Sequence, residues 1–142
     1  MSKYSERFWK KSWDDHVKDL DPKLFETTFI DAVKSTFEEF PQKMAFSYLG
    51  VEFTYAELDK YSNQFANMLI ENGFNTGDVV GICLPNMPEY VIALIGALRA
   101  GCLVSGVSPL LSTVQIQYQL NDLGSTGKNV GLITLMLYSR GT

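Results

Sequence analysis

The chain has 142 residues, of which 46% are apolar and 20% are charged, and its formal net charge is -4. This composition fits one globular domain, or one piece of a larger protein, and excludes a disordered or fibrous chain. A negative net charge provides no broad basic surface for phosphates, so we expect no nucleic-acid partner; a local site for a small anionic ligand stays open.

The sequence also bears on location and metal binding. Basic residues occur near the amino terminus without the apolar run of a secretory signal. The longest apolar run, 90–98, is far shorter than the roughly 18 to 20 residues that cross a bilayer. Cys83 and Cys102 lack Cys-x-x-Cys spacing, and His16 is the only histidine. We therefore expect a cytoplasmic protein with no membrane span, no metal cluster, two reduced core thiols and a surface histidine.

Residues 1–25 form an aromatic amino-terminal arm. Trp9, Trp13, Val17 and Leu20 fall near helical spacing. We interpret the segment as an arm whose tryptophans pack on the body. A membrane-surface helix is the alternative, although the aspartates of this segment oppose binding to an anionic bilayer.

Helical periodicity begins after Thr28, which can cap with Asp31. Apolar residues then recur at three- and four-residue intervals: Phe29, Val33, Phe37 and Phe40. Pro41 ends this predicted helix, and Glu38 and Glu39 form a solvated face. The next apolar runs, 44–49 and 51–53, are split by Gly50 and predict two strands joined by a tight turn.

A second helix is predicted to begin at Thr54, because Thr54 and Glu57 have the spacing of a capping box, and to end at Gly73. Its predicted buried stripe consists of Leu58, Tyr61, Phe65 and Met68 or Leu69. Its predicted wet side consists of Asp59, Lys60, Asn63 and Glu71. Residues 75–78 read as a turn, and the nearly all-apolar run 79–84 predicts a strand covered on both faces, as in a parallel sheet.

The third predicted helix runs to about Ala100 and is apolar on almost all sides. Asn86 and Glu89 have the spacing of a cap, and Pro88 suits the first turn. Such a helix is expected between two layers, with Gly96 allowing close approach of a neighbouring backbone. Met87 and three phenylalanines are predicted core residues: Phe37, Phe40 and Phe65.

The remaining elements complete an alternating pattern. Residues 103–107 predict a strand that Pro109 ends, Ser112 with Gln115 caps a further helix, and 130–137 predict a last strand. The buried side of that helix is predicted from Val114, Ile116, Leu120 and Leu123. The order favours an α/β fold: an open, mostly parallel sheet with flanking helices and right-handed crossovers.

Several segments resemble one family. FTYAEL at 53–58 and ALRAGCLVSGVSPL at 97–110 are similar to core motifs in the amino-terminal region of the acyl-CoA synthetase, luciferase and peptide-synthetase adenylation superfamily. The resemblance covers about residues 25–123. SPLLSTVQIQYQLND at 108–122 favours acyl-CoA synthetases, because peptide-synthetase domains more often have an aspartate near the position of Ser108. The arm sequence WKKSWDDHVKDLDP is similar to the aromatic opening of fatty acyl-CoA synthetases.

The resemblance implies that residues 26–142 are a partial α/β subdomain of the large N-terminal domain of adenylate-forming enzymes. The full-length enzyme would activate a carboxylic acid, a fatty acid in our interpretation, with ATP and Mg and then transfer it to CoA. The family's adenosine segment, ribose-binding aspartate and carboxy-terminal lysine have no counterpart in this sequence. We therefore predict no catalytic, cofactor-binding or metal-binding residue, and an inactive isolated chain.

The segment 124–128, GSTGK, is similar to the core of the family's phosphate loop. Its context differs, because the family loop lies further downstream and continues with Pro-Lys-Gly. It also fails as a Walker loop, since Asp122 stands at the early glycine position and Asn129 follows the lysine. We interpret it as an ordinary loop before a strand and keep the phosphate loop as the alternative.

Two other functional hypotheses stay open. One is a non-catalytic α/β interaction or nucleotide-binding module that retains only the scaffold. The other is a membrane-surface adaptor acting through residues 1–20. The end of the chain matches the family's next strand loosely, or it is a junction near a truncation.

Overall fold

The structure is a computed structural model that describes residues 7–14, 16, 17, 19, 21–124 and 129–134. Two 3-10 turns, Phe8–Ser12 and Pro22–Glu26, precede the regular elements. These are α1 Phe29–Glu39, β1 Met44–Tyr48, β2 Val51–Thr54, α2 Tyr55–Glu71, β3 Val79–Cys83, α3 Pro88–Arg99, β4 Leu103–Gly106, α4 Thr113–Gly124 and β5 Val130–Thr134. The predicted α/β class and element order are confirmed; residues 135–137 of the predicted last strand lie outside the described residues.

The strands form an antiparallel β1–β2 hairpin and a parallel three-stranded sheet in the order β4-β3-β5. Every residue of the central strand β3 is buried, as expected for a strand covered on both faces. Val80 and Ile82 join the core cluster with α3. Gly81 points to the other side, where a Cβ would contact Leu120 of α4. Helices α3 and α4 therefore cover opposite faces of the sheet.

The contact between α2 and α3 depends on a small residue, as predicted for Gly96. A Cβ added at Gly96 would lie 2.7 Å from the Ser62 carbonyl oxygen and 2.9 Å from Phe65 Cβ. Ser62 is fully buried, and its hydroxyl donates to the Leu58 carbonyl at 2.7 Å. The two helices consequently meet with almost no space between their backbones.

This close contact corrects the predicted stripe of α2. Leu58 is buried as predicted, and of the two alternatives Met68 and Leu69 it is Leu69 that is buried, but Tyr61 is exposed. The buried positions between the two leucines are Ser62 and Ala66. Small Ser62 and half-buried Phe65 lie where α3 approaches most closely, whereas the side chain of Tyr61 remains exposed.

Three of the four predicted helix caps are confirmed. Thr28 with Asp31 and Thr54 with Glu57 form complete capping boxes. Ser112 Oγ accepts from the Gln115 amide at 3.4 Å, and the Gln115 side chain accepts from the Ser112 amide at 3.0 Å. Glu57 accepts hydrogen bonds from the Thr54 amide, which has the larger effect, and from the Thr54 hydroxyl. Both hydrogen bonds lower the pKa of Glu57.

The predicted cap of α3 is wrong by one residue. Its N-cap is Met87, which makes no capping hydrogen bond through its side chain, and Asn86 lies exposed outside the helix. Pro88 at the first helical position explains why the helix begins there, because proline fixes φ and has no amide hydrogen to satisfy.

The outer layers differ from the predictions in two further places. Val114 is exposed rather than buried, whereas Ile116, Leu120 and Leu123 are half-buried beneath α4. The arm contains 3-10 turns instead of a regular helix, and Asp19 forms ion pairs with Arg7 and Lys10. Packing of the arm tryptophans on the body and the boundary at residue 25 stay predictions; Leu20 lies outside the described residues.

The remaining predictions concern single side chains and membrane insertion. Both Cys83 and Cys102 are buried free thiols, as predicted. His16, Glu38 and Glu39 are exposed, also as predicted. Of the predicted core residues, Phe37 is buried, whereas three are half-buried: Phe40, Phe65 and Met87. Within the described ranges, no helix has the length and hydrophobicity needed to span a membrane.

Candidate functional site

The order of the parallel strands identifies the carboxyl ends of the strands as the location of the candidate site. The chain passes from β3 through α3 to β4 on one side, and then through α4 to β5 on the other side of β3. The connections therefore diverge between β3 and β5. In open α/β sheets, ligands bind in the crevice outside the carboxyl ends of the strands at such a topological switch point.

One wall of this crevice belongs to the described residues. After β3 the chain continues through buried Leu84 to exposed Pro85 and Asn86, and then enters α3 at Pro88. The residues that follow Thr134, at the end of β5, lie outside the described residues. The described wall is uncharged up to Glu89 in the first turn of α3.

Tyr90 connects this wall to the end of β4. Its hydroxyl oxygen would lie 3.4 Å from a Cβ at Gly106, the last residue of β4. From the other face of the sheet, Gln119 Nε2 donates to the Gly106 carbonyl at 3.1 Å. Helices α3 and α4 are therefore both held against the carboxyl end of β4, and a side chain at Gly106 would contact the Tyr90 hydroxyl.

A cavity of about 280 Å³ opens beside this edge, between the hairpin and the start of α3. Its lining is mostly apolar and consists of Phe46, Ser47, Tyr48, Asn86, Met87, Pro88, Tyr90 and Val91. This cavity provides space next to the switch point. It offers no charged group that would neutralise a phosphate.

A larger groove of about 500 Å³ lies across α1, α2 and the end of α3. There Arg99 Nη2 is 2.5 Å from Asp59 Oδ1, and the Arg99 guanidinium lies 5.2 Å from the centre of the Phe37 ring. Arg99 is at the opposite end of α3 from the carboxyl edge. Its contacts tie three helices together, so we interpret this groove as part of the helical layer rather than of the candidate site.

Among the described residues one acidic side chain, that of Asp78, is buried, and it stabilises the structure at the amino end of β3. Asp78 precedes β3 and accepts hydrogen bonds from the Asn75 amide at 2.8 Å and from Asn129, through its amide at 3.2 Å and its side chain at 3.1 Å. Burial, followed by the charge of Asp78, raises the pKa of the Cys102 thiol. Cys102 is therefore a thiol held away from its nucleophilic form.

The described residues contain no group of three or more histidine, cysteine or acidic side chains arranged to hold a metal ion. Gly124 is the last residue of α4, and residues 125–128 of the GSTGK segment lie outside the described residues. The prediction that the chain has no catalytic, cofactor-binding or metal-binding residue stays a prediction. Sequence reasoning did not identify the contact between Tyr90 and Gly106, because it depends on where β4 lies.

Comparisons with known proteins agree with this arrangement. A family model described as "AMP-binding enzyme" matches residues 33–127. A long-chain-fatty-acid–CoA ligase of Yersinia pestis is 32% identical over 122 residues, which are 84% of this chain and 22% of the ligase. A linear gramicidin synthase polypeptide of Brevibacillus parabrevis is 34% identical over 91 residues, which are 64% of this chain and 1% of that polypeptide.

The fold has a counterpart among solved structures. The N-terminal subdomain of Klebsiella oxytoca NpsA superposes with a TM-score of 0.69 at 23% identity, covering 78% of this chain and 28% of that one. The chain thus spans about a fifth of the fatty-acid–CoA ligase that it resembles. Because the matched range covers well over half of the chain and contains every element from β1 to α4, the chain belongs to the AMP-binding family of adenylate-forming enzymes.

Proposed function

We propose that this chain is an amino-terminal portion of an acyl-CoA synthetase that activates a fatty or related organic acid. The full-length enzyme forms an acyl-adenylate from the acid and ATP and then transfers the acyl group to CoA. The observation that carries the proposal is the family match over residues 33–127. The 122-residue similarity to a long-chain-fatty-acid–CoA ligase supports the choice of acid and of CoA as acceptor.

The chain supplies a scaffold and one wall of the crevice. Enzymes of the family use ATP, and its CoA ligases also use CoA. Attack of a carboxylate on the α-phosphate needs cations that neutralise charge developing on the phosphoryl oxygens. Leu84, Pro85, Asn86 and Met87 provide none. The described ranges also contain no group of three or more histidine, cysteine or acidic side chains arranged to hold magnesium.

We therefore propose that the isolated 142-residue chain is inactive. The test is ATP–pyrophosphate exchange with short, long and aromatic carboxylic acids, with and without magnesium. We expect no exchange that depends on the acid. The positive comparison is the polypeptide extended in its own reading frame beyond Thr142, for which we expect acid-dependent exchange and, with CoA, a thioester. Acid-dependent exchange by the 142-residue chain alone would overturn the proposed inactivity.

The second candidate is a non-catalytic interaction or nucleotide-binding module. It is favoured by the buried core that the described residues form around β3. Saturable, stoichiometric binding of ATP without turnover would support this module, and a stop codon directly after Thr142 would agree with it. If Lys128→Ala left such binding unchanged, the phosphate-loop interpretation of GSTGK would be wrong.

A cytoplasmic location is part of the same proposal. It is supported by Cys83 and Cys102, which are free thiols buried in the core, as in proteins of reducing compartments. Fractionation of cells that express the protein from its own gene checks it. Recovery in an exported fraction would contradict it.

A further inference from the structure

The sequence contains a single asparagine that is followed by glycine, Asn72, which is the C-cap residue of α2. An asparagine side chain in such a pair reacts readily with the next peptide nitrogen, because glycine has no side chain to shield that nitrogen. Both Asn72 and Gly73 are exposed, and a Cβ added to Gly73 would have no atom of the described residues within 4 Å. The described part of the chain therefore leaves this peptide bond open to water.

The reaction open to this pair is an intramolecular cyclisation. The Gly73 nitrogen loses its proton to a base in solution and attacks Asn72 Cγ. A bond forms between this nitrogen and Cγ, the bond between Cγ and Nδ2 breaks, and Nδ2 takes a proton from solvent and leaves as ammonia. Water then adds to either carbonyl carbon of the resulting succinimide and opens the ring, which leaves aspartate or isoaspartate in place of Asn72. The reaction consumes water and needs no oxidant, reductant or metal.

The folded end of α2 holds both reacting groups in other contacts. Asn72 Nδ2 donates to the Met68 carbonyl at 2.7 Å, and the Gly73 amide donates to the Ile70 carbonyl at 3.0 Å. An amide hydrogen in such a bond is harder to remove. In addition, ψ of Asn72 is 12°, whereas ring closure needs a rotation that brings the Gly73 nitrogen almost into line with Cβ. Cyclisation therefore requires that the end of α2 opens first.

Neither product can make the cap that Asn72 makes. A carboxylate has no hydrogen to donate to the Met68 carbonyl, and its charge lies at the negative end of the helix dipole. The last turn of α2 contains no basic residue that would offset this charge. Isoaspartate also lengthens the main chain before Phe74, whose amide donates to the Leu69 carbonyl at 3.0 Å. Each product therefore weakens the helix end that had restrained the reaction.

We propose that Asn72 is a site of spontaneous deamidation, which the folded end of α2 restrains and which reacts when that end opens. Helix ends open locally with a lower free energy than the core, so the site is reached without global unfolding. Because the product cannot remake the cap, each reaction leaves the end of α2 easier to open. This proposal does not depend on the function proposed above.

Peptide mass spectrometry of the 142-residue chain, incubated at mildly alkaline pH with and without denaturing guanidinium chloride, tests the proposal. A synthetic peptide of residues 69–76 in the same two buffers gives the rate without the fold. Conversion of Asn72 should be at least roughly tenfold slower in the folded chain than in the peptide, because two hydrogen bonds must break first. In guanidinium chloride the two rates should be equal. Exposed Asn86, which precedes methionine, is the internal control and should react far more slowly in the unfolded chain.

Two variants test the site and the consequence of the reaction. Asn72→Asp reproduces one product and should lower the urea midpoint of unfolding relative to wild type. Asn72→Gln is the matched control, because it keeps the amide but would have to form a less favourable six-membered ring, so it should release no ammonia on the same timescale. The proposal is overturned if the folded chain deamidates as fast as the peptide, if Asn72 stays unreacted in guanidinium chloride, or if Asn72→Asp is as stable as wild type.

Discussion

Replacing Gly96 with alanine tests how closely α2 and α3 pack. Gly96 lies within α3, where alanine is normally favoured over glycine by about 1 kcal/mol. In this structure the added methyl group would lie 2.7 Å from the Ser62 carbonyl oxygen and 2.9 Å from both Cβ and Cδ1 of Phe65. Helix propensity and packing therefore predict opposite signs for the same substitution.

The magnitude follows from the size of the overlap. Carbon–oxygen contacts between packed helices lie near 3.3 to 3.6 Å, so the methyl group is roughly 0.6 to 0.9 Å too close to the oxygen. The Ser62 oxygen belongs to the backbone of α2, so relief requires the helices to separate. Overpacking of this kind typically costs about 1 to 3 kcal/mol. Because the oxygen is a backbone atom that no side-chain rotation can move away, we take the upper part of this range, about 2 to 3 kcal/mol. After the propensity gain of about 1 kcal/mol is subtracted, we expect Gly96→Ala to destabilise the protein by about 1 to 2 kcal/mol.

Urea unfolding followed by circular dichroism measures this change as a lower midpoint with an unchanged slope. Ser35→Ala in the exposed part of α1 is the control, because it gains helix propensity without a packing penalty and should not be destabilised. If Gly96→Ala were as stable as wild type, or more stable, α2 would move away without cost. The close contact described above would then be wrong.

Three further predictions concern other parts of the chain. Asp78→Ala should destabilise by about 2 to 4 kcal/mol in urea unfolding, because donors including those of Asn129 lose a charged acceptor. Leu49→Asn should raise the unfolding free energy by about 0.5 to 1 kcal/mol, because Leu49 has φ of 50° and is exposed. The folded-state pKa of Glu57 is lowered, so its contribution to stability is present above the unfolded-state pKa and is lost as pH falls through the folded-state pKa. Thr54→Ala removes one hydrogen-bond donor and should raise the folded-state pKa of Glu57, which an NMR titration measures.

Local signals in the sequence were sufficient for most element boundaries. The capping boxes at Thr28 and Thr54 depend only on residues three apart, and both were predicted. The N-cap of α3 was predicted one residue too early. Asn86 is a signal for an N-cap, whereas Pro88 is a signal for the first helical position, and the helix begins at the proline. The sequence predicts a helix boundary well where one local signal determines it. Where two signals compete, the boundary depends on the surrounding structure.

The side-chain layers were harder to predict. Hydrophobicity correctly favoured Leu58 and the Leu69 alternative for the buried line of α2. It also favoured Tyr61, yet Ser62 and Ala66 lie between the two leucines. The reason is that α3 approaches α2 closely at Gly96, and the spacing of apolar residues within α2 carries no information about that approach. Tertiary contact therefore decided which side of an amphipathic helix became its innermost line.

The candidate site could not be located from the sequence, because its position depends on the order of the strands in the sheet. Alternating strands and helices predict a parallel sheet but leave open whether β5 joins β4 or β3. Only pairing of β5 with the far side of β3 creates the switch point. The predicted elements were thus correct without identifying the edge where a ligand would bind.

In the segment 84–110, the residues that pack the fold are not the kind of residues that a reaction on a phosphate would need. In the run 84–110, Ala93, Gly96, Ala97 and Cys102 are buried, and they fit α3 between the sheet and α2. These packing residues lie within the range that matches the AMP-binding family model, and they determine how the crossover is built. Chemistry on a phosphate needs charged groups that converge from both sides of a crevice. The described wall contributes apolar and amide groups only up to Glu89, so it supplies none of the cations that this chemistry needs.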